Sequence, residues 1–185
     1  MPATRSRPLG HARIRSSGTC PEQAYLSAMC PLPIETVQDY PRPPRLERVP
    51  QRLLVRLGDA VAAETVRGLR VLETHHAPTY YIPPEDVAAG LSPAGGGSLC
   101  EWKGRARYLD VTAGGTTARR AAWCYDSPTR AFTELAGYLA FYPARMEACF
   151  VGEERVIPQP GDFYGGWVTS NLRGRIKGAR GTEGW

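Results

Sequence analysis

The sequence predicts a mainly β protein: a single small antiparallel barrel or sandwich of about nine short strands with little helix. Three observations predict it. Gly and Pro supply 20 and 17 of the 185 residues, well above the usual ~12% for the pair, so the chain is interrupted too often for long helices. Between the interruptions, apolar residues recur at every second position over short runs, the period of a strand with one face in a core. Strands do not alternate with long helical stretches, which argues against parallel α/β architectures.

Residues 1–38 are polar and mixed and hold no period of 3.6 or 2. They are expected to form a disordered or weakly ordered extension. Tyr40-Pro41-Arg42-Pro43-Pro44-Arg45 then forces an extended entry into a core domain over residues 39–157. Leu53, Val55 and Leu57 recur at alternate positions and read as a half-buried strand. Gly58-Asp59 is a hairpin turn, and Val61 to Thr65 returns. Leu69 to Thr74 and Thr79 to Ile82 are the next strands, the second stopped by Pro83-Pro84. Glu85 to Leu91 reads as one helical turn. Ser92 to Ser98, with Gly95-Gly96-Gly97, reads as a mobile loop and lacks the Gly-Lys-Ser/Thr of a phosphate-binding loop. Arg105 to Val111 and Thr116 to Trp123, joined at Gly114-Gly115, make the clearest hairpin. Gly137 to Tyr142 and Ala148 to Val151 flank a turn at Pro143 to Met146. Gly152-Glu153-Glu154 makes the last hairpin and leads into Val156. Residues 158–185 are too rich in Gly for a strand or helix of their own. Their aromatics, Phe163, Tyr164, Trp167 and Trp185, predict a strap packed on the core.

Charge narrows the partners. The net charge is +5, yet residues 51–156 carry twelve basic and twelve acidic side chains, so the excess sits on the ends. A nucleic-acid-binding fold usually carries a basic face on its body, which argues against nucleic acid as a partner. The five cysteines are odd in number and show no CxxC spacing, as expected for reduced thiols in a cytoplasm. No run approaches the ~18 apolar residues that span a bilayer. The basic N-terminus is followed by no apolar segment, so neither a membrane anchor nor a secretory signal is expected.

Several ordered strings carry a family resemblance. They are Val71-Leu72-Glu73-Thr74 with Pro78-Thr79-Tyr80-Tyr81-Ile82-Pro83, then Cys100-Glu101-Trp102-Lys103-Gly104 with Tyr108. Ala121-Ala122-Trp123-Cys124-Tyr125 and Ala140-Phe141-Tyr142-Pro143 follow. Last come Phe163-Tyr164-Gly165-Gly166-Trp167-Val168-Thr169-Ser170 and Gly181-Thr182-Glu183-Gly184-Trp185. From about Tyr40 to the C-terminus the chain resembles the bacterial domain-of-unknown-function family 427, which some catalogues call nucleotidyltransferase-like. The resemblance implies a nucleotide-handling site, and a tent-like arrangement of two β-sheets. Where that family often shows an acid-amide pair before Ala-Ala-Trp, this chain has Arg119-Arg120, a departure that puts any role of the replaced pair in doubt.

The residues themselves give mixed support. Nucleotidyl transfer usually needs Mg²⁺ on clustered carboxylates, and no Gly-Ser with a following Asp-x-Asp/Glu is present. Glu85-Asp86 and Glu153-Glu154 read as solvated pairs beside turns. A zinc site wants Cys or His at short spacing. The adjacent His75-His76 should face opposite ways on an extended chain, so no metal is expected, and no motif names a cofactor. Cys100 beside Lys103 is either an activated thiol or a small buried residue. Cys124, between Trp123 and Tyr125, should face away from both.

The informative feature is aromatic. Tyr80, Tyr81, Trp102, Tyr108, Trp123, Tyr125, Tyr138, Phe141 and Tyr142 recur on strands expected to be neighbours, with Lys103 among them. Rings on strands are mostly core, and Lys103 is either a strand-end charge or an anion ligand. The favoured reading is a small-molecule pocket for a planar or anionic, nucleotide-like ligand, built by Trp102, Lys103, Tyr108, Trp123, Tyr125 and Tyr142 with Glu73 and His75 at its rim. Two alternatives stand beside it. One is an enzyme using Glu73 or Lys103 for acid–base chemistry on such a ligand. The other is a non-catalytic module whose aromatic C-terminal strap docks a protein partner.

Overall fold

The computed structural model describes residues 32–161 and 163–182. Of the extension expected over residues 1–38, residues 1–31, with Cys20 and Cys30, lie outside them, as does Trp185. The chain is mainly β, in several mostly antiparallel sheets that do not close into a barrel.

The strands, in order, are β1 (Glu35–Thr36), β2 (Arg45–Arg48), β3 (Leu53–Leu57), β4 (Ala60–Thr65), β5 (Leu69–Leu72), β6 (Thr79–Tyr81), β7 (Gly90–Cys100), β8 (Gly104–Ala113), β9 (Thr116–Cys124), β10 (Leu139–Phe141), β11 (Ala148–Val151), β12 (Glu154–Arg155), β13 (Ile157–Pro158), β14 (Trp167–Val168) and β15 (Leu172–Arg173). Helix is confined to short 3-10 turns such as Arg130–Leu135 and Pro143–Arg145. One four-stranded sheet runs β10-β9-β8-β7 and another β12-β11-β3-β4. A three-stranded sheet runs β2-β5-β6. The tail joins through the antiparallel pair β13-β14 and the parallel pair β1-β15.

The β7–β10 sheet is the partition. Because side chains alternate along a strand, its two faces serve two cores. Leu109, Val111, Ala122, Cys124, Leu139 and Phe141 pack with Leu53, Val55 and Leu57 of β3. Their neighbours Ala106, Tyr108, Trp123, Tyr125, Ala140 and Tyr142 pack with Leu69, Val71 and Tyr81 of β5 and β6. Cys124 therefore faces away from Trp123 and Tyr125, as the alternation predicts. The same rule splits the tyrosine pair of β6, with Tyr80 in the first core and Tyr81 in the second.

Four expectations are corrected. Ser92 to Ser98 is not a loop but the middle of β7, paired with β8. Its glycines make a bulge: the register shifts between Pro93 and Gly97, and Gly95 and Gly96 both hold φ +69. A Cβ at Gly97 would lie 2.6 Å from the Ala106 carbonyl oxygen, so only glycine allows the strands to close there. The helical turn expected over Glu85 to Leu91 shrinks to Pro84–Asp86, and β7 begins at Gly90. The segment after residue 31 is built into the fold: Val37 is fully buried with Tyr40 and Leu72. Charge fixes it there, because half-buried Arg70 donates to Glu47 and Glu35, each at 2.7 Å, and Tyr40 Oη donates to the same Glu35 at 2.6 Å. The tail does form strands, although each of β13, β14 and β15 has two residues.

Candidate functional site

The second core is incomplete, and where it stops a cavity of about 370 Å³ opens. Alternation on β9 puts the ring of Trp123 on its wall, with Tyr125 one register further along. β8 adds Tyr108, and the end of β10 leads to Tyr142. Trp123 and Tyr142 lie 4.5 Å apart at a 45° tilt, and Tyr81 meets Trp123 edge-on at 6.4 Å. The turn between β7 and β8 delivers Cys100, Glu101, Trp102 and Lys103 to the same space.

Of the sequence-predicted site residues, Glu73, Trp102, Lys103, Tyr108, Trp123, Tyr125 and Tyr142 line this one cavity, and His75 does not. β5 ends at Leu72, and His75 then takes φ +66. This left-handed turn sends its backbone to Val37 and Lys177, with hydrogen bonds of 2.8 and 2.7 Å. His76 enters the cavity instead. Arg42, Phe163, Tyr164 and Lys177 also line it and had no signal in the periodic segments. Tyr80 and Phe141 pack on the opposite side of the sheet.

The charges do not balance evenly. Arg42 donates to Glu101 at 2.7 Å, lies 3.9 Å from Glu73, and stands 5.8 Å over the Trp102 ring. It thus takes up both acids that line the cavity among the described residues. Lys103 is only 8% exposed and, among the described residues, forms no ion pair; its Nζ stands 5.7 Å from the Phe132 ring. Among the described residues Lys177 likewise pairs with no acid, and it sits 5.7 Å from Tyr164. Two buried donors, Trp102 Nε1 and the Tyr81 hydroxyl, have no hydrogen-bond partner among the described residues. Cys100 is half-buried on the wall, whereas burial pushes the Cys124 thiol up to about 11. Among the described residues, no three His, Cys, Asp or Glu side chains group closely enough to hold a metal ion.

Gln159 fixes the histidine. Its Oε1 accepts from Ala77 N at 3.1 Å, and its Nε2 donates to Lys177 O at 3.0 Å and faces His76 Nδ1 at 3.1 Å. Nδ1 must therefore accept, which leaves the proton on Nε2. Burial first, then Lys177, Lys103 and Arg42, holds the His76 pKa down at about 4. The unfolded chain takes up this proton near the ordinary value of ~6.5. The neutral imidazole's contribution is therefore complete above about pH 6.5 and is lost as the pH falls toward 4. In urea unfolding at pH 7 and pH 4.5, wild type should lose about 2 kcal/mol more than His76→Asn. Equal losses would contradict a buried neutral ring.

The tail closes the far wall, and its paired glycines mark two close approaches. A Cβ at Gly165 would lie 2.2 Å from Trp123 Cη2, and one at Gly166 would lie 2.7 Å from the Ala77 carbonyl oxygen. These contacts set Tyr164 against His76, ring centroids 4.7 Å apart.

The family described as Domain of unknown function (DUF427) matches residues 45–152. The chain belongs to that family. No curated protein matches it. The DUF427 region supplies both faces of the partition sheet and the Trp102-Lys103 turn. Arg42, Tyr164 and Lys177 reach the cavity from outside the matched span. No helix among the described residues is long and apolar enough to cross a membrane.

Proposed function

We propose that the aromatic cavity binds a small molecule with a planar part and an anionic group, nucleotide-like in outline. Lys103 carries the reading. A cation more than nine-tenths buried, with no carboxylate partner among the described residues, is costly to the fold, and an anionic ligand would supply what it lacks. Trp102 Nε1, the Tyr81 hydroxyl and His76 Nε2 add donors, so the wall favours a ligand rich in acceptors. The Trp123 and Tyr142 rings offer stacking surface for its flat portion. Catalysis by Glu73 and Lys103 on such a ligand is the second reading, favoured by their presence on one cavity wall; nucleotidyl transfer rests on the family label. A protein-docking role draws support from Leu99 and Phe163, which stand 77% and 64% exposed at the cavity rim.

The test is a thermal-shift panel of nucleotides, sugar phosphates, CoA-type compounds and free amino acids, with and without Mg²⁺. A ligand at a hundred times its Kd should add about 2.7 kcal/mol of stability, and the shift should vanish in Lys103→Ala. A panel without a Lys103-dependent hit would sink the reading. Turnover of a hit, lost in Glu73→Gln, would favour the enzyme.

A further inference from the structure

Behind the Tyr108–Tyr142 wall lies a second concavity, of about 150 Å³, lined by Tyr108, Arg120, Tyr142, Arg145 and Phe163. It holds two guanidinium groups and, among the described residues, no acid. Arg120 is placed there by an uncommon backbone. It takes φ +49, a left-handed conformation that side chains other than Asn, Asp and His seldom hold. The position is a bulge, where the pairing of β8 with β9 shifts register between Leu109 and Val111. Asp110 fixes the bulge by accepting from the Arg120 amide at 2.7 Å. Irregularities of this kind re-aim a side chain, and here the Arg120 guanidinium comes to rest 4.4 Å over the Tyr108 ring.

Arg145, on the Pro143–Arg145 turn, matches it. Its guanidinium stands 4.9 Å over the Tyr142 ring, and its Nη1 donates to the Arg120 carbonyl at 2.7 Å. Arg120 Nη1 donates to the Gly95 carbonyl at 3.2 Å. Among the described residues neither arginine pairs with a carboxylate, unlike Arg42, Arg52, Arg67, Arg70 and Arg107. In both, the carbonyls engage Nη1 alone. The Nε–Nη2 edge, the one that grips two oxygens of an oxyanion at once, has no partner among the described residues. Two like charges on adjacent rings are relieved by an anion between them.

We propose that Arg120 and Arg145 form a second site, for a tetrahedral oxyanion, taken either as inorganic phosphate or as a phosphate monoester whose organic part lies on Phe163. The site shares the Tyr108, Tyr142 and Phe163 wall with the aromatic cavity, but its two arginines stand outside that cavity's lining, and it does not depend on that cavity's being occupied.

The test titrates the ¹⁵N-labelled full chain with inorganic phosphate and, separately, with phenyl phosphate, following the arginine Nε–Hε signals. Saturable shifts of the Arg120 and Arg145 signals are expected, unchanged in Lys103→Ala. Arg120→Gln and Arg145→Gln should each weaken binding about tenfold. Arg145 lies outside the bulge, so its variant carries the test if Arg120→Gln disturbs the backbone amide spectrum. Tighter binding of phenyl phosphate than of inorganic phosphate assigns a monoester, and equal binding a free anion. Three results would overturn the site: no saturable shift, shifts spread over all arginines that a chloride control reproduces, or loss of the shifts in Lys103→Ala.

Discussion

Trp167→Ala should cost the fold about 4 kcal/mol, within the usual range for emptying a large aromatic site. Trp167 is fully buried, although it lies in the tail, beyond the family-matched span. Its ring packs 5.1 Å from Tyr80, and its Nε1 donates to the Phe141 carbonyl at 3.1 Å. Its backbone amide donates to Pro78 O at 2.9 Å, so the residue joins the tail to β10 and to the entry of β6 together. Truncation would leave a void in the first core and an unpaired carbonyl on β10. Against a total stability of roughly 5–15 kcal/mol, that loss is large enough to read directly from urea unfolding. Trp167→Phe keeps much of the apolar surface and loses the indole hydrogen bond, so about 1–2 kcal/mol is expected for it. A cost below about 1 kcal/mol for Trp167→Ala would mean that the tail is a covering, not part of the core.

The tail also shows why the fold was only partly legible in the sequence. The β8–β9 hairpin is plain because Gly114 and Gly115 take φ +54 and +78, the positive pair that a tight hairpin turn demands, and because Tyr108 pairs with Trp123 across the strands. Strand β7 is hidden, since Gly95-Gly96-Gly97 has no side chains to alternate. Its strand state comes from pairing with β8, a partner met only in three dimensions. The tail glycines mislead in the same way: Gly165 and Gly166 are there for close approach, not for looseness.

The site was legible to the same extent. Alternation on β9 and the turn at Trp102-Lys103 mark most of the cavity wall. The exchange of His75 for His76 follows from one left-handed residue, and period-two reasoning cannot register a turn that begins after the strand has ended. Arg42 and Lys177 lie far apart in sequence and outside any periodic run, so only the folded chain brings them to one cavity.

Lys103 separates a ligand site from a structural accident. Methionine has nearly the length and volume of lysine and no charge. If the ammonium is held for a ligand, Lys103→Met removes a buried cation that no described carboxylate pairs, and an apolar replacement at such a position is often neutral or stabilising. The unliganded protein should then gain up to about 1 kcal/mol, the exchange of stability for function common at binding sites. The same substitution should weaken an anionic ligand by about a hundredfold, the loss of one buried, charge-assisted contact. The measurement to make is the urea unfolding free energy of wild type and Lys103→Met, each with and without the strongest hit of the ligand panel. The variant should be at least as stable as wild type without ligand, and should no longer be stabilised when the ligand is added. A variant that is less stable without ligand, and is stabilised by the ligand as much as wild type, would show that Lys103 serves the fold and that the cavity is not the anion site.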